Sequence, residues 1–182
     1  MSKELTQQEQ QVLLQLARDT IIQWVTKQTR PPLPEAKGVL GELRGAFVTI
    51  HKSGQLRGCI GNMIGRAPLV ETIQEMAIAA STGDPRFPPV STVELNQIDI
   101  EISVLSPLQE IRDVNQIEVG RHGILMSRGV HSGVLLPQVA TEYGWDLITF
   151  LRHTCLKASL PENAWQDPKT KIEIFSAQVF GE

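Results

Sequence analysis

Phe47-Val48-Thr49-Ile50-His51-Lys52-Ser53-Gly54-Gln55-Leu56-Arg57-Gly58-Cys59-Ile60-Gly61 is the stretch from which the fold is read. β-Branched and aromatic residues lead into Ser53-Gly54, a dipeptide suited to a tight turn, and a second extended run leaves it. The pattern predicts a hairpin with strands over about Ala46 to His51 and Gln55 to Ile60. The second strand carries an arginine and a thiol two residues apart, Arg57 and Cys59, among the glycines Gly58 and Gly61. In an extended strand such residues share a face. The charge of Arg57 is therefore expected to favour the Cys59 thiolate, while the glycines leave room for a ligand or another backbone.

Upstream of the hairpin, Thr6 followed by Glu9 forms a capping box, and Val12, Leu13, Leu16, Ala17, Thr20, Ile21, Trp24 and Val25 recur at helical spacing. A helix is predicted from about Gln7 to Gln28, ended by the stiff connector Arg30-Pro31-Pro32-Leu33-Pro34. Downstream, Leu69, Ile73, Met76, Ala77 and Ala80 make the apolar stripe of a second helix over about Pro68 to Ser81. Gly83-Asp84-Pro85-Arg86-Phe87-Pro88-Pro89-Val90 then reads as a rigid loop with two opposite charges.

Ile98, Ile100, Ile102 and Val104 alternate with Asp99, Glu101 and Ser103, a strand with one core face and one face that can hold Glu101 in a cleft. Residues 108–119 match neither period. A second hairpin is expected from Gly123-Ile124-Leu125-Met126 and Gly133-Val134-Leu135-Leu136, closed by Ser127 to Ser132. Pro137 opens a short helix ending near Gly144, and Asp146 caps another to about Ala158, with Ile148, Leu151 and Cys155 on one face. A last strand spans Ile172 to Phe180.

The chain has 182 residues, 41% hydrophobic and 20% charged, enough to bury a substantial core, and a formal charge of −3. That charge gives no general attraction to nucleic acid or to an anionic membrane, and there is no basic run. Two cysteines in unlike contexts suit reduced thiols in a cytosolic protein, and no zinc spacing is present. The polar N-terminal stretch is not a signal peptide, and no apolar run reaches the roughly 20 residues that span a bilayer.

Cys59 reads either as a nucleophilic or ligand-binding thiol or as a small packed side chain. His51, opposite Leu56 or Gln55, lies too far along the hairpin to serve as its base, and His122 and His131 flank the second hairpin as exposed loop residues or as candidate bases. His153 and Lys157 are spaced as a solvent-facing helical pair, and Cys155 is expected to be an inert core thiol. Asp84 and Arg86 are expected either to pair and fix their loop or to offer a guanidinium to a carboxylate or phosphate. Glu101 is an acceptor for either arginine.

Leu56-Arg57-Gly58-Cys59-Ile60-Gly61 resembles the signature of the AMMECR domain family. The resemblance continues through Leu13 to Arg18, Gly45 to Thr49, Asp84-Pro85-Arg86-Phe87-Pro88, Ile100 to Ser106, Leu135 to Val139 and Thr154 to Ala158, with Ser159 where the family has glycine. It implies a single α+β domain of two lobes, each with an antiparallel sheet flanked by helices. The larger lobe would hold both termini, residues 1–55 and 97–182, with a smaller lobe of about 56–96 inserted. It implies no particular reaction and no cofactor. By resemblance this is a cytoplasmic component of a modification pathway shared with a Memo-like protein and a radical S-adenosylmethionine protein. Cys59 and Arg57 would be its reactive pair, and Gly58, Gly61, Asp84, Arg86 and Glu101 would line the binding cleft for a small substrate or modified group. The alternative is a non-catalytic adaptor, associated with other proteins or with nucleic acid.

Overall fold

The computed structural model describes residues 3–182, an α+β chain that divides into two compact units. The first unit comprises the residues up to Leu105 together with Gln178–Glu182, and the second comprises Ser106–Ala177. The larger unit thus draws on both ends of the chain. The division differs from the expected lobe at 56–96: residues 55–62 pair along nearly their whole length with the preceding strand, and the helix that follows packs on both strands, so that segment belongs inside the first unit.

In the first unit, α1 (Gln7–Lys27) starts at the expected capping box. The Glu9 amide donates to Thr6 Oγ1 at 3.3 Å, and the Thr6 amide donates to the Glu9 carboxylate at 2.8 Å. Gln28 adopts a left-handed conformation and ends the helix. The hairpin strands are β1 (Ala46–Lys52) and β2 (Gln55–Asn62), joined through Ser53 and Gly54 with φ of 52° and 74°, the geometry of a two-residue turn that matches strand twist. β3 (Ile98–Leu105) pairs antiparallel with the other edge of β1, and the last residues of the C-terminal strand β7 (Lys171–Gly181) run beside β3. Helix α2 (Leu69–Thr82) begins one residue after Pro68, which serves as its N-cap. Its stripe of Leu69, Ile73, Ala77 and Ala80 is buried with Val48, Ile50, Ile100 and Ile102 of the sheet and Leu13, Ala17 and Ile21 of α1. One sheet face is therefore core, and the alternate residues Thr49, Cys59 and Glu101 stand half-buried on the other.

The second unit holds β4 (Gln109–Ile111), β5 (His122–Arg128), β6 (His131–Leu135), α3 (Pro137–Glu142), α4 (Leu147–Lys157) and the first residues of β7 (Lys171–Gly181). Its antiparallel order is β4-β7-β5-β6, and the aperiodic segment 108–119 resolves into β4 and a turn of 3-10 helix at Val114–Gln116. The hairpin turn is tighter than expected: the strands run on to Arg128 and from His131, leaving Gly129-Val130 as the loop. The Asp146 carboxylate accepts the Thr149 amide at 2.8 Å and starts α4. Leu151 and Cys155 join Phe150, Ile124, Met126 and Ile172 in the core, whereas Ile148, expected beside them, is 46% exposed in the first turn.

Candidate functional site

A β-bulge in the hairpin determines what the signature residues can do. From the turn, Gln55 and Leu56 pair with Lys52 and His51, but Gly58 pairs with Ile50 and Cys59 with Thr49, leaving Arg57 as the extra residue. Cross-strand partners share a face, so Leu56 and Cys59 lie on one face although three residues apart, and Arg57 and Gly58 turn toward the side of α2. A Cβ on Gly58 would run into the Ala80 carbonyl of α2, so only glycine lets the helix backbone approach this closely. Gly61 lies under the Phe47 ring in the same way.

Arg57 is therefore not the partner of the thiol. Its Nε and Nη2 donate to the two oxygens of Glu94 at 3.0 and 3.1 Å, its Nη1 donates to the Pro88 carbonyl at 2.9 Å, and Nη2 also reaches the Pro89 carbonyl at 3.3 Å. Lys52 Nζ and the Ser91 amide donate to the same carboxylate at 3.0 and 2.9 Å. The Arg57 guanidinium holds the Glu94 carboxyl well below the ordinary carboxylate range, helped by the Ser91 amide and Lys52. Arg57 thus clamps the proline-rich loop and the 3-10 turn Thr92–Glu94 to the strand. Glu94 was missed as a partner, although Ser91 and Glu94 carry the spacing of a capping box in the sequence.

The cation beside Cys59 is Arg86. Asp84, only 4% exposed, accepts the Cys59 amide at 2.9 Å, the Arg86 amide at 3.1 Å and a two-pronged contact from Arg86 Nε and Nη2 at 3.0 and 2.7 Å. Arg86 Nη2 also donates to the Cys59 carbonyl at 3.3 Å. The Arg86 guanidinium and the Cys59 amide depress the Asp84 carboxyl far below its usual range. Together Asp84 and Arg86 occupy both backbone groups of Cys59 at the edge of β2, as a neighbouring strand would, and protect that edge from pairing with another chain. The Arg86 side chain remains 55% exposed, and its Nη1 has no hydrogen-bond partner among the described residues. The ionisation of Arg86 is favoured chiefly by Asp84 and, to a smaller degree, by the Cys59 sulfur.

Cys59 is half-buried, with Sγ 3.1 Å from Thr49 Oγ1, and Glu101 follows Thr49 across β1, so thiol, hydroxyl and carboxylate form one row over three strands. Glu101 accepts from neither arginine, since each has its own carboxylate on the proline-rich side, Glu94 for Arg57 and Asp84 for Arg86. His51 pairs with Leu56, as the hairpin register requires, and His122 Nδ1 accepts the Glu118 amide at 3.0 Å. His153 is exposed but does more than face solvent: it stacks on Trp145 with ring centres 4.0 Å apart, and Tyr143 stacks on Trp145 at 5.1 Å. Cys155 is fully buried with Sγ 3.1 Å from Met126 Sδ, and burial pushes its thiol up in pKa. Among the described residues no three His, Cys, Asp or Glu side chains are grouped so as to hold a metal ion, and no helix is long and apolar enough to cross a membrane.

Comparison with known proteins sets this geometry in context. The AMMECR1 family profile matches residues 14–180. A protein of Methanopyrus kandleri is 46% identical over 195 aligned positions, covering all of this chain and 92% of its own length. One from Methanothermobacter thermautotrophicus is 43% identical, covering 98% of this chain and 96% of its own. The crystal structure of an uncharacterized protein from Pyrococcus horikoshii superposes with a TM-score of 0.81 at 39% identity, over 93% of this chain and 89% of that one.

Proposed function

This chain belongs to the AMMECR1 family, and we propose that its sheet face around Cys59 binds a small substrate or modified group through a carboxylate or phosphate presented to Arg86. The observation that carries the reading is the state of Arg86. A buried carboxylate and the Cys59 carbonyl fix two of its nitrogens, while Nη1 has no partner among the described residues and the side chain is 55% exposed. A guanidinium oriented in this way loses little freedom on meeting an anion, which suits it to recognition. Thr49 and Glu101, in row with Cys59, add a hydroxyl and a carboxylate that can select among ligands. The pathway that the family resemblance suggests, cytosolic and shared with Memo-like and radical S-adenosylmethionine proteins, is the setting we propose for this binding.

The test is mass spectrometry of small molecules and partners retained by the chain purified from its native cells. Arg86→Ala should lose the retained molecule by a larger factor than it lowers thermal stability. Equal losses would mean that the loop is only structural.

A second reading, a non-catalytic adaptor in which the signature is a folding motif, draws support from the tasks of Arg57, Gly58 and Gly61. All three serve packing or loop anchoring. Under that reading the wild-type chain retains a protein partner and no small molecule.

A further inference from the structure

The second unit contains a cleft of about 480 Å³ between the end of β4, the 3-10 turn that follows it and the start of β7, all within Ser106–Ala177 and unrelated to Cys59. Its apolar lining comes from Ile111 and Ile172, cross-strand partners that are each 6% exposed, together with Val114 and the half-buried indole of Trp165. Such a lining accepts a flat apolar body.

The polar lining is unevenly satisfied. Lys171 Nζ pairs with Glu173 at 2.9 Å and also feels Glu110, which lines the cleft. Asp167 is engaged by Arg128 at 2.9 Å and by the Lys169 amide at 2.9 Å. Arg112, exposed at the lining, has no hydrogen bond or ion pair among the described residues, and the neighbouring Asp113 accepts the amide and side chain of Asn115 at Oδ1, at 2.9 Å each. Thr170, 8% exposed and also in the lining, has a hydroxyl with no partner. After the internal pairs are matched, the exposed Arg112 guanidinium and the Glu110 carboxylate therefore remain unspent beside an apolar slot, with the Thr170 hydroxyl buried in its wall.

We propose that this cleft is a second binding site, for a small aryl-bearing organic anion whose carboxylate or phosphate is held by Arg112 and whose ring lies against Trp165. Two parallel N–H donors on a planar guanidinium match a carboxylate, and an indole face suits a ring. Lys171 offers one positive charge to the two carboxylates Glu110 and Glu173, so the anion is held by its direct contact with Arg112 and not by the net charge of the lining.

The test is a titration of the full chain with benzoate, phenyl phosphate and the neutral benzamide, followed by proton–nitrogen NMR at the Trp165 indole and the Arg112 amide. At least one of the two anions should produce saturable shifts at both positions. Benzamide should produce none, and Arg112→Gln, a change of an exposed residue, should weaken the anion by about tenfold, the share of one charge-assisted contact. Trp165→Leu should weaken it through loss of the ring contact, with the Arg112 amide as the remaining probe. Absence of saturable shifts with both anions, binding of benzamide equal to that of benzoate, or an unchanged affinity in Arg112→Gln would each overturn the proposal.

Discussion

Replacing Arg57 with methionine keeps most of the side-chain length and removes the guanidinium, and its cost follows from what that group holds. Arg57 and Glu94 are each only 13% exposed in their side chains, so both are largely withdrawn from water. The substitution deletes two charge-assisted bonds to Glu94 and two bonds to the Pro88 and Pro89 carbonyls. Breaking a buried pair from one side costs about 3 to 5 kcal/mol. Here Lys52 and the Ser91 amide stay on the carboxylate, which places the expected loss near the lower end, at about 3 kcal/mol. Denaturant unfolding at neutral pH, with the slope on denaturant checked for constancy, measures it. Glu94→Gln in the same background completes a double-mutant cycle whose coupling should exceed about 1 kcal/mol. A loss below about 1 kcal/mol for Arg57→Met would refute the clamp and return Arg57 to the list of residues free to meet a ligand.

Three further outcomes follow from the same geometry. The folded-state carboxyls of Asp84 and Glu94 are depressed, so their stabilisation is complete above their ordinary values of 3.8 and 4.5 and is lost as pH falls through the lower folded-state values. Acid unfolding curves should therefore steepen below about pH 4, and Glu94→Gln should flatten them. Gly58→Ala should destabilise by about 1 to 3 kcal/mol, because the new methyl meets the Ala80 carbonyl, and a neutral effect in thermal melts would show that α2 can retreat. Ser159, held at φ of 59°, should gain about 0.5 to 1 kcal/mol on replacement by glycine, seen as a raised melting temperature; a fall would show that its side chain contributes more than the backbone strain costs.

The elements with a clean period were legible in the sequence. α1 begins at its capping box, β3 alternates as expected, and the hairpin turn falls on Ser53-Gly54. The site was legible in its residue names and less so in its pairing. Strand alternation placed Arg57 with Cys59, but one inserted residue in β2 reverses that assignment, and a bulge depends on helix packing that no local pattern encodes: Gly58 must face Ala80. Charge alone could not pair the arginines either, because Arg57 and Glu94 meet only after the proline-rich loop has folded back over β2. The unit boundary was misplaced for a related reason. The chain leaves the first unit at Leu105, where Ser106-Pro107 reads as an ordinary turn, and re-enters it at Gln178, within the unbroken strand β7, where no turn residue marks the crossing.

The central claim, that Arg86 rather than Arg57 presents positive charge to an anion at Cys59, is tested most directly by the ratio of two alkylation rates. Iodoacetate carries a negative charge and iodoacetamide does not. Their ratio at Cys59, read by peptide mapping of the folded protein, isolates attraction of the anion from the reactivity of the thiol itself. Both reagents should label Cys59 well before the buried Cys155. The ratio should fall severalfold in Arg86→Met and stay unchanged in Arg57→Met. A Cys59 that resists both reagents until the protein unfolds, or a ratio that drops with Arg57→Met and not with Arg86→Met, would contradict the account.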